Sequence, residues 1–257
     1  MATPQLLRVV EREARVYSRM WRGLGFTTFV QPALYLAAMG LGLGGLVNAH
    51  TGSVGGVDYL DFVAPGLLVA SAMQVACAES LWPVLGGVKW MRYYFGIIAT
   101  PIGPVEIYGG YVLWIALRSM LASAAFLLVA ALLGAVPSAW GVLAIPAAAL
   151  TAAAFCAILA AFSITQDTDL SFPMIMRLGV LPLFLFSGTF FPVSQLPAGL
   201  RHLALLSPLY HGVELARAAT TGSFSLLPDI GHVAFLVGCI ALGGVFGVRN
   251  FTRRLHA

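Results

Sequence analysis

Long apolar stretches alternate with short connections along this chain. About 20 apolar residues are needed for a helix to cross the hydrocarbon core of a bilayer. Only helices and closed barrels satisfy their backbone groups there, and strands of a membrane barrel are only about 10 residues long. The pattern therefore predicts an all-α membrane protein, a single domain (1–257) whose six-span bundle covers 24–248. The six predicted spans are 24–47, 62–86, 108–133, 141–165, 172–191 and 229–248.

The composition excludes a soluble globular protein. Of the 257 residues, 60% are hydrophobic and 9% are charged, against about 45–50% and about 25% in soluble domains. The net charge of +4 would suit a nucleic-acid partner, but the basic residues lie almost entirely between the apolar stretches. We therefore expect membrane lipids and no nucleic acid as partners. The cysteines and histidines have no metal-ligand spacing, so no metal site is expected.

Lysine and arginine are distributed unequally between the connections. Ten of them fall on the side that holds both termini, and two fall on the other side. Because cytoplasmic connections carry the excess of basic residues, we predict that both termini, including the tail 249–257, lie in the cytoplasm and that the protein spans the cytoplasmic membrane. Residues 1–22 are amphipathic and carry charges of both signs, so we expect no signal peptide.

The N-terminal segment 1–23 has the periodicity of an amphipathic helix. Its apolar residues recur at spacings of three and four: Leu6, Val10, Ala14, Tyr17 and Trp21. A basic amphipathic helix beside a membrane span is expected to lie in the headgroup layer. Two interpretations remain open: a plain topology anchor, or a lever that transmits motion from a cytoplasmic partner.

The connection 87–107 is rich in aromatic residues and poor in charge. Trp90, Tyr93, Tyr94 and Phe95 would not be expected in a loop that meets only water. An exposed apolar patch usually marks a protein contact, although a helix lying flat on the bilayer would fit as well. Thr100, Pro101 and Pro104 end the helical pattern, and Glu106 begins the next one.

On the other side of the membrane, 192–226 contains helical stretches that are each too short to cross. Pro192 ends the fifth span, and the segment 196–206 has helical periodicity. Pro208 suits a first helical turn and Ser207 its N-cap. We predict two short re-entrant helices, since non-helical backbone at membrane depth is tolerated only where protein or water covers it.

Several charged and small residues lie inside the predicted spans. Glu79 and Arg118 both fall in the cytoplasmic half and could pair, and Arg177 lies in the inner part of the fifth span. Such charges are either ion pairs that support packing or contacts for a gate or substrate. The G-x-x-x-G spacings at 40/44 and 243/247 are weak signals of close helix packing.

Motifs for catalysis and nucleotide binding are absent from the sequence. A phosphate-binding P-loop needs glycine directly before its lysine, and the single lysine, Lys89, follows Val88. No H-E-x-x-H or G-x-S-x-G motif is present. The chain is thus expected not to be an enzyme by itself and to bind no cofactor directly, with any ATP-Mg bound by another polypeptide.

Five segments have a distinctive composition: Phe186-Ser187-Gly188-Thr189-Phe190-Phe191-Pro192, Leu196-Pro197, Ser207-Pro208-Leu209-Tyr210 with Glu214 and Arg217, Thr100-Pro101-Ile102 with Glu106, and Tyr59-Leu60-Asp61-Phe62-Val63-Ala64-Pro65-Gly66. Together with the order of the predicted elements, these segments resemble the permease subunit of ABC-2-type exporters, and the nodulation lipo-oligosaccharide and daunorubicin-resistance branch in particular.

The resemblance implies a subunit that exports an amphipathic or lipid-like substrate together with two ABC ATPase subunits and a second permease, either identical or a paralogue. It implies a coupling helix at about 87–100, with docking residues Lys89, Trp90, Arg92, Tyr93, Tyr94, Phe95, Thr100, Pro101 and Glu106. It also implies an outer cap that contains Phe191, Pro192, Pro208, Tyr210, Glu214 and Arg217. An ion-coupled carrier or a non-transporting scaffold is the alternative, but an ion-coupled carrier would be expected to have acidic residues at the midplane.

Overall fold

The computed structural model describes residues 4–19, 34–38, 42 and 57–256, and the elements within them are helical. We number the helices in chain order. They are α1 (Gln5–Arg19), α2 (Tyr59–Val88), α3 (Tyr93–Ile98), α4 (Pro104–Leu132), α5 (Ala144–Ser163), α6 (Phe172–Phe186), α7 (Ala198–Leu205), α8 (Pro208–Thr221) and α9 (Leu226–His256), with 3₁₀ turns at Ala139–Leu143 and Val193–Gln195.

Four of the described helical segments are long and apolar enough to cross a membrane: α2, α4, α9, and α5 with its preceding 3₁₀ turn (Ala139–Ser163). Most of the predicted first span, 24–47, lies outside the described residues. The predicted fifth span is a shorter helix, α6, which contains a π-helical stretch at Ile175–Val180. At 1.5 Å per residue α6 is about 22 Å long, less than the roughly 30 Å of hydrocarbon.

Helix α5 lies at the centre of the bundle and contacts α2, α4, α8 and α9. The residues that it buries are mostly alanines, which keep neighbouring backbones close. Where Thr151 of α5 faces α8, its partner is Gly212, and a Cβ there would overlap the Thr151 hydroxyl. Small residues at these crossings let helices approach closely in a membrane, where packing rather than the hydrophobic effect drives association.

Helix α9 packs on its neighbours through Gly243 and Gly247, the two glycines of its G-x-x-x-G spacing. A Cβ at Gly243 would lie 2.7 Å from Ala157 of α5, and one at Gly247 would overlap the Tyr108 ring of α4. Helix α9 continues to His256, so the predicted tail 249–257 is helical over all of its described residues. Burial of Phe251 and Leu255 explains this extension.

The first helix packs along α4. Val9 is buried against Gly110, and the Tyr17 ring meets the Trp114 ring edge-on at 5.8 Å. Val10, Ala14 and Tyr17, which belong to the predicted apolar stripe, pack on the core. Trp21 of that stripe lies outside the described residues.

Candidate functional site

The two ends of the bundle carry most of the candidate residues. The Trp90 end contains the end of α2, the short helix α3 and the last turns of α9. The Arg217 end contains the start of α2 and the neighbouring α8. Helix α2 ends at Val88, and the turn 89–92 leads into α3. Trp90 and Met91 in this turn are 58% and 77% exposed and form an apolar tip.

The rings that follow the tip face inward. Tyr94 is only 1% exposed and lies 5.9 Å from the Phe251 ring of α9. The Tyr94 ring therefore lies inside the protein, away from the exposed tip, and its docking role stays a prediction. The half-buried Tyr93 lies under the Arg12 guanidinium, 4.1 Å from the ring centre.

Glycines allow the chain to fold back at this point. A Cβ at Gly87 would lie 2.5 Å from the Tyr94 ring and 2.8 Å from the Tyr93 ring. Arg92 adopts a left-handed conformation (φ 53°), which costs energy for a residue other than glycine. The guanidinium of Arg92 lies over the Phe95 ring at 5.3 Å.

The remaining predicted docking residues lie around the α3–α4 connection and the tip. Thr100 and Pro101 are exposed in the turn after α3, and Glu106 lies in the first turn of α4, where a negative charge suits the helix dipole. Lys89 Nζ lies 2.6 Å from Asp167 Oδ1, so Lys89 is held by an ion pair.

Asp167 connects three parts of the Trp90 end. Besides Lys89 of the turn, it pairs with Arg254 of α9, and Asp167 itself lies in the α5–α6 connection. Hydrogen bonds from the two cations lower the pKa of Asp167 to about 2. The carboxylate is fully charged at neutral pH, and it joins the turn that carries the tip to the end of α9.

Of the predicted intramembrane charges, Glu79 and Arg118 form an ion pair, whereas Arg177 lies apart from them. Glu79 Oε1 of α2 lies 2.8 Å from Arg118 Nη1 of α4, so the two residues form the ion pair that their similar depth allows. Arg118 also lies over the Tyr17 ring of α1 at 4.9 Å. Arg177 is exposed on α6, and no ion pair joins it to another of the described residues.

At the other end, Arg217 organises the predicted outer cap. Its Nη1 lies 2.5 Å from Glu214 Oε1, and its Nη2 donates to the Gly188 carbonyl at 2.6 Å. The guanidinium also lies 3.9 Å from the centre of the Phe62 ring. The contact with Phe62 could not be predicted from the sequence, since a cation–ring contact between two helices has no characteristic spacing along the chain.

Turn chemistry supports this arrangement. The Ser207 hydroxyl accepts from the Leu209 N–H, and Pro208 occupies the first turn of α8, as predicted. Gly188, which follows the end of α6, has φ 83°. The next residue, Thr189, lies so close to Gly66 of α2 that a Cβ added at Gly66 would collide with it. Phe191 and Pro192 are half-buried beside this crossing.

A histidine pair joins α8 to α9 near the cap. His211 Nδ1 lies 2.7 Å from His232 Nδ1, and His211 Nε2 lies 3.0 Å from the Leu205 carbonyl. His211 also stacks on Phe235 at 3.9 Å. The described residues contain no group of three or more potential metal ligands.

An all-helical bundle with several apolar helices and charges at its ends defines a multi-pass membrane protein. The chain matches the ABC-2 type transporter family model over residues 4–220. It therefore belongs to the ABC-2 type transporter family, whose members are membrane subunits that work with ABC ATPase subunits.

The chain is also similar to curated proteins called nodulation protein J. It is 29% identical to the one from Rhizobium leguminosarum bv. viciae, over 82% of this chain and 78% of the relative. It is 32% identical to those from Rhizobium leguminosarum bv. trifolii (75% of this chain, 72% of the relative) and Bradyrhizobium diazoefficiens (77% and 75%).

Proposed function

We propose that this chain is the permease subunit of an ATP-driven exporter that moves an amphipathic or lipid-like substrate outward across the cytoplasmic membrane. In this proposal two ABC ATPase subunits hydrolyse ATP-Mg beneath two permeases, which are identical or paralogous. The six spans comprise the four long segments, 24–47 and α6, with both termini in the cytoplasm. Family membership favours this function over an ion-coupled carrier or a scaffold.

The observation that carries the proposal is the apolar tip at the Trp90 end. The turn 89–92 exposes both of its apolar residues, Trp90 and Met91, although a water-facing turn would be expected to be polar. Tryptophan is among the residues that most often dominate binding energy at protein interfaces. An ATPase that binds this end would bury both side chains.

The inner face of the same segment supports a role in coupling. Tyr93 contacts Arg12 of α1, and Tyr94 contacts Phe251 of α9. A displacement of the tip is therefore passed to α1 and α9 through packed rings, and the Asp167 ion pairs add a charged link to α9. Contacts of this kind favour the lever interpretation of the N-terminal helix over a plain anchor.

The proposed substrate class follows from the family resemblance and from the character of the bundle. A lipid, a lipo-oligosaccharide or a hydrophobic drug would fit a wall that is mostly apolar, with charges concentrated at the two ends. Entry would be from the inner leaflet, and exit would be past the cap around Arg217.

Truncation of the tip tests the proposal. Trp90→Ala combined with Met91→Ala should abolish co-purification of the ATPase and its stimulation by the permease, while the thermal unfolding temperature stays nearly unchanged. The matched control is Trp140→Ala, because Trp140 is similarly exposed (63%) at the Arg217 end. Normal ATPase binding by the tip variant, or equal loss in the control, would contradict the assignment.

A further inference from the structure

A cavity of about 510 Å³ lies at the Arg217 end, between the start of α2, the Val193–Gln195 turn and α8. Its polar lining includes Arg201, Tyr210, Glu214, Arg217 and Thr221. Phe62, Val193 and Leu205 supply apolar surface to the same cavity. A cavity of this size and mixed lining suits a ligand that has a polar group on an apolar body.

Arg217 lines the cavity and has one side-chain nitrogen without a hydrogen-bond partner among the described residues. Its two terminal nitrogens are occupied by Glu214 and the Gly188 carbonyl, but its Nε is buried and has no hydrogen-bond partner among the described residues. A buried donor without a partner is costly, and the cost is recovered when a ligand oxygen accepts from it. The acceptor would have to enter through the cavity that Arg217 lines.

The charge of the lining selects the kind of acceptor. Glu214 is already compensated by its ion pair with Arg217, so Arg201 supplies one positive charge in excess. Arg201 is exposed, and none of the described ion pairs involves it. An anionic oxygen could accept from Arg217 Nε while Arg201 balances its charge, and hydrogen bonds of this charge-assisted kind are the strong ones.

We propose that this cavity binds an anionic phosphate group, such as the head group of an acidic amphiphile, with Arg217 Nε as donor and Arg201 as counter-charge. The apolar residues of the lining would contact the start of the attached chain. The cavity would then bind the head group on the exit side of the membrane. This proposal rests on the proposed function in one respect, namely that the Arg217 end is the outer side.

Titration calorimetry on the purified full-length chain tests the proposal without any ATPase, so its failure is distinct from failure of the proposed function. The probes are dihexanoyl phosphatidylglycerol, the zwitterionic dihexanoyl phosphatidylcholine, and inorganic phosphate. We expect one phosphatidylglycerol per chain, bound at least about tenfold more tightly than phosphatidylcholine, because only the former carries net negative charge.

Variants connect this preference to the cavity. Arg201→Gln, at an exposed position that should not affect folding, is expected to remove the tenfold preference. Arg217→Lys keeps the charge but removes the Nε donor, and it should weaken phosphatidylglycerol binding about tenfold. Arg253→Gln removes an exposed arginine at the Trp90 end and should leave binding unchanged.

Equal binding of the two lipids, or a preference that survives Arg201→Gln, would overturn the proposal. If Arg217→Lys does not fold, the Arg201 and Arg253 variants still decide. Competition by inorganic phosphate at the same affinity as the lipid would assign the site to a free anion. Failure of phosphate to compete, with the preference intact, would assign it to a lipid head group.

Discussion

The ion pair between Glu79 and Arg118 offers a way to separate a packing role from a role in gating. The pair joins α2 to α4 with 2.8 Å between Oε1 and Nη1. Arg118 is only 14% exposed at its side chain and also lies over the Tyr17 ring of α1. The contacts predict that the pair acts mainly to hold these three helices together.

Glu79→Gln removes the counter-charge of a mostly buried guanidinium. Breaking a buried pair from one side costs about 3–5 kcal/mol. Because the Glu79 side chain is 33% exposed, the pair is only partly buried, and we expect a smaller loss of about 1–3 kcal/mol. The double variant Glu79→Gln with Arg118→Met removes both charges and should recover most of that loss, since no uncompensated charge remains.

The assay combines thermal unfolding of the purified single and double variants with ATPase stimulation in the assembled complex. A packing pair predicts that the double variant is nearly as stable as the parent and stimulates the ATPase normally. If the double variant is as unstable as Glu79→Gln, the reasoning from the ion pair is refuted. A stable double variant without stimulation would instead give the pair a role in gating or substrate contact.

Three further predictions concern packing and protonation. Gly247→Ala should destabilise the protein by about 1–3 kcal/mol, because the added Cβ would overlap the Tyr108 ring. Gly244→Ala, whose added Cβ would have open space around it, should not destabilise the protein, and thermal unfolding compares the two variants. Burial raises the pKa of Glu13, so ionisation of this carboxyl group opposes folding at pH values above the ordinary pKa of glutamate. Glu13→Gln should therefore raise the unfolding temperature at pH 8 but not at pH 4. The pKa of Asp167 is lowered in the folded protein, so its charged carboxylate stabilises the fold above the ordinary pKa near 4, and this stabilisation is lost as the pH falls towards 2. In unfolding scans from pH 6 to pH 2, the unfolding temperature of Asp167→Asn should therefore fall less steeply than that of the parent.

Local patterns were sufficient to predict several features of the fold. Apolar stretches long enough to cross a bilayer predicted four of the long helical segments, although their ends differ by a few residues. The Ser207-Pro208 dipeptide predicted a helix start, because an N-cap and a first-turn proline act within one turn of the chain. Glu79 and Arg118 could be placed at similar depth by counting residues along two helices.

The orientation of aromatic side chains could not be predicted in the same way. Trp90 and Tyr94 occur in one aromatic run, yet Trp90 points outward and Tyr94 packs against Phe251 of α9. The difference depends on a contact between residues that are far apart in sequence. The run alone indicates only that some of its residues meet apolar partners.

Helix ends and short helices also depend on distant contacts. Helix α9 extends through the basic segment that looked like a tail, since Phe251 and Leu255 are buried by neighbouring helices. Asp167 lies in a short connection without apolar periodicity, and its partners Lys89 and Arg254 come from opposite parts of the chain. Sequence spacing cannot bring such groups together, so this cluster was found only in the structure.

The most direct test of the account is photo-crosslinking from the apolar tip in native membranes. A benzoylphenylalanine placed at position 91 instead of Met91 should crosslink, on illumination, to a polypeptide that carries an ATP-binding P-loop, as identified by mass spectrometry of the adduct. The same probe at position 140, instead of Trp140, should give no such adduct. Adducts at position 91 that contain only lipid, or an ATPase adduct that forms equally well from position 140, would contradict the claim that this end of the bundle binds the ATPase.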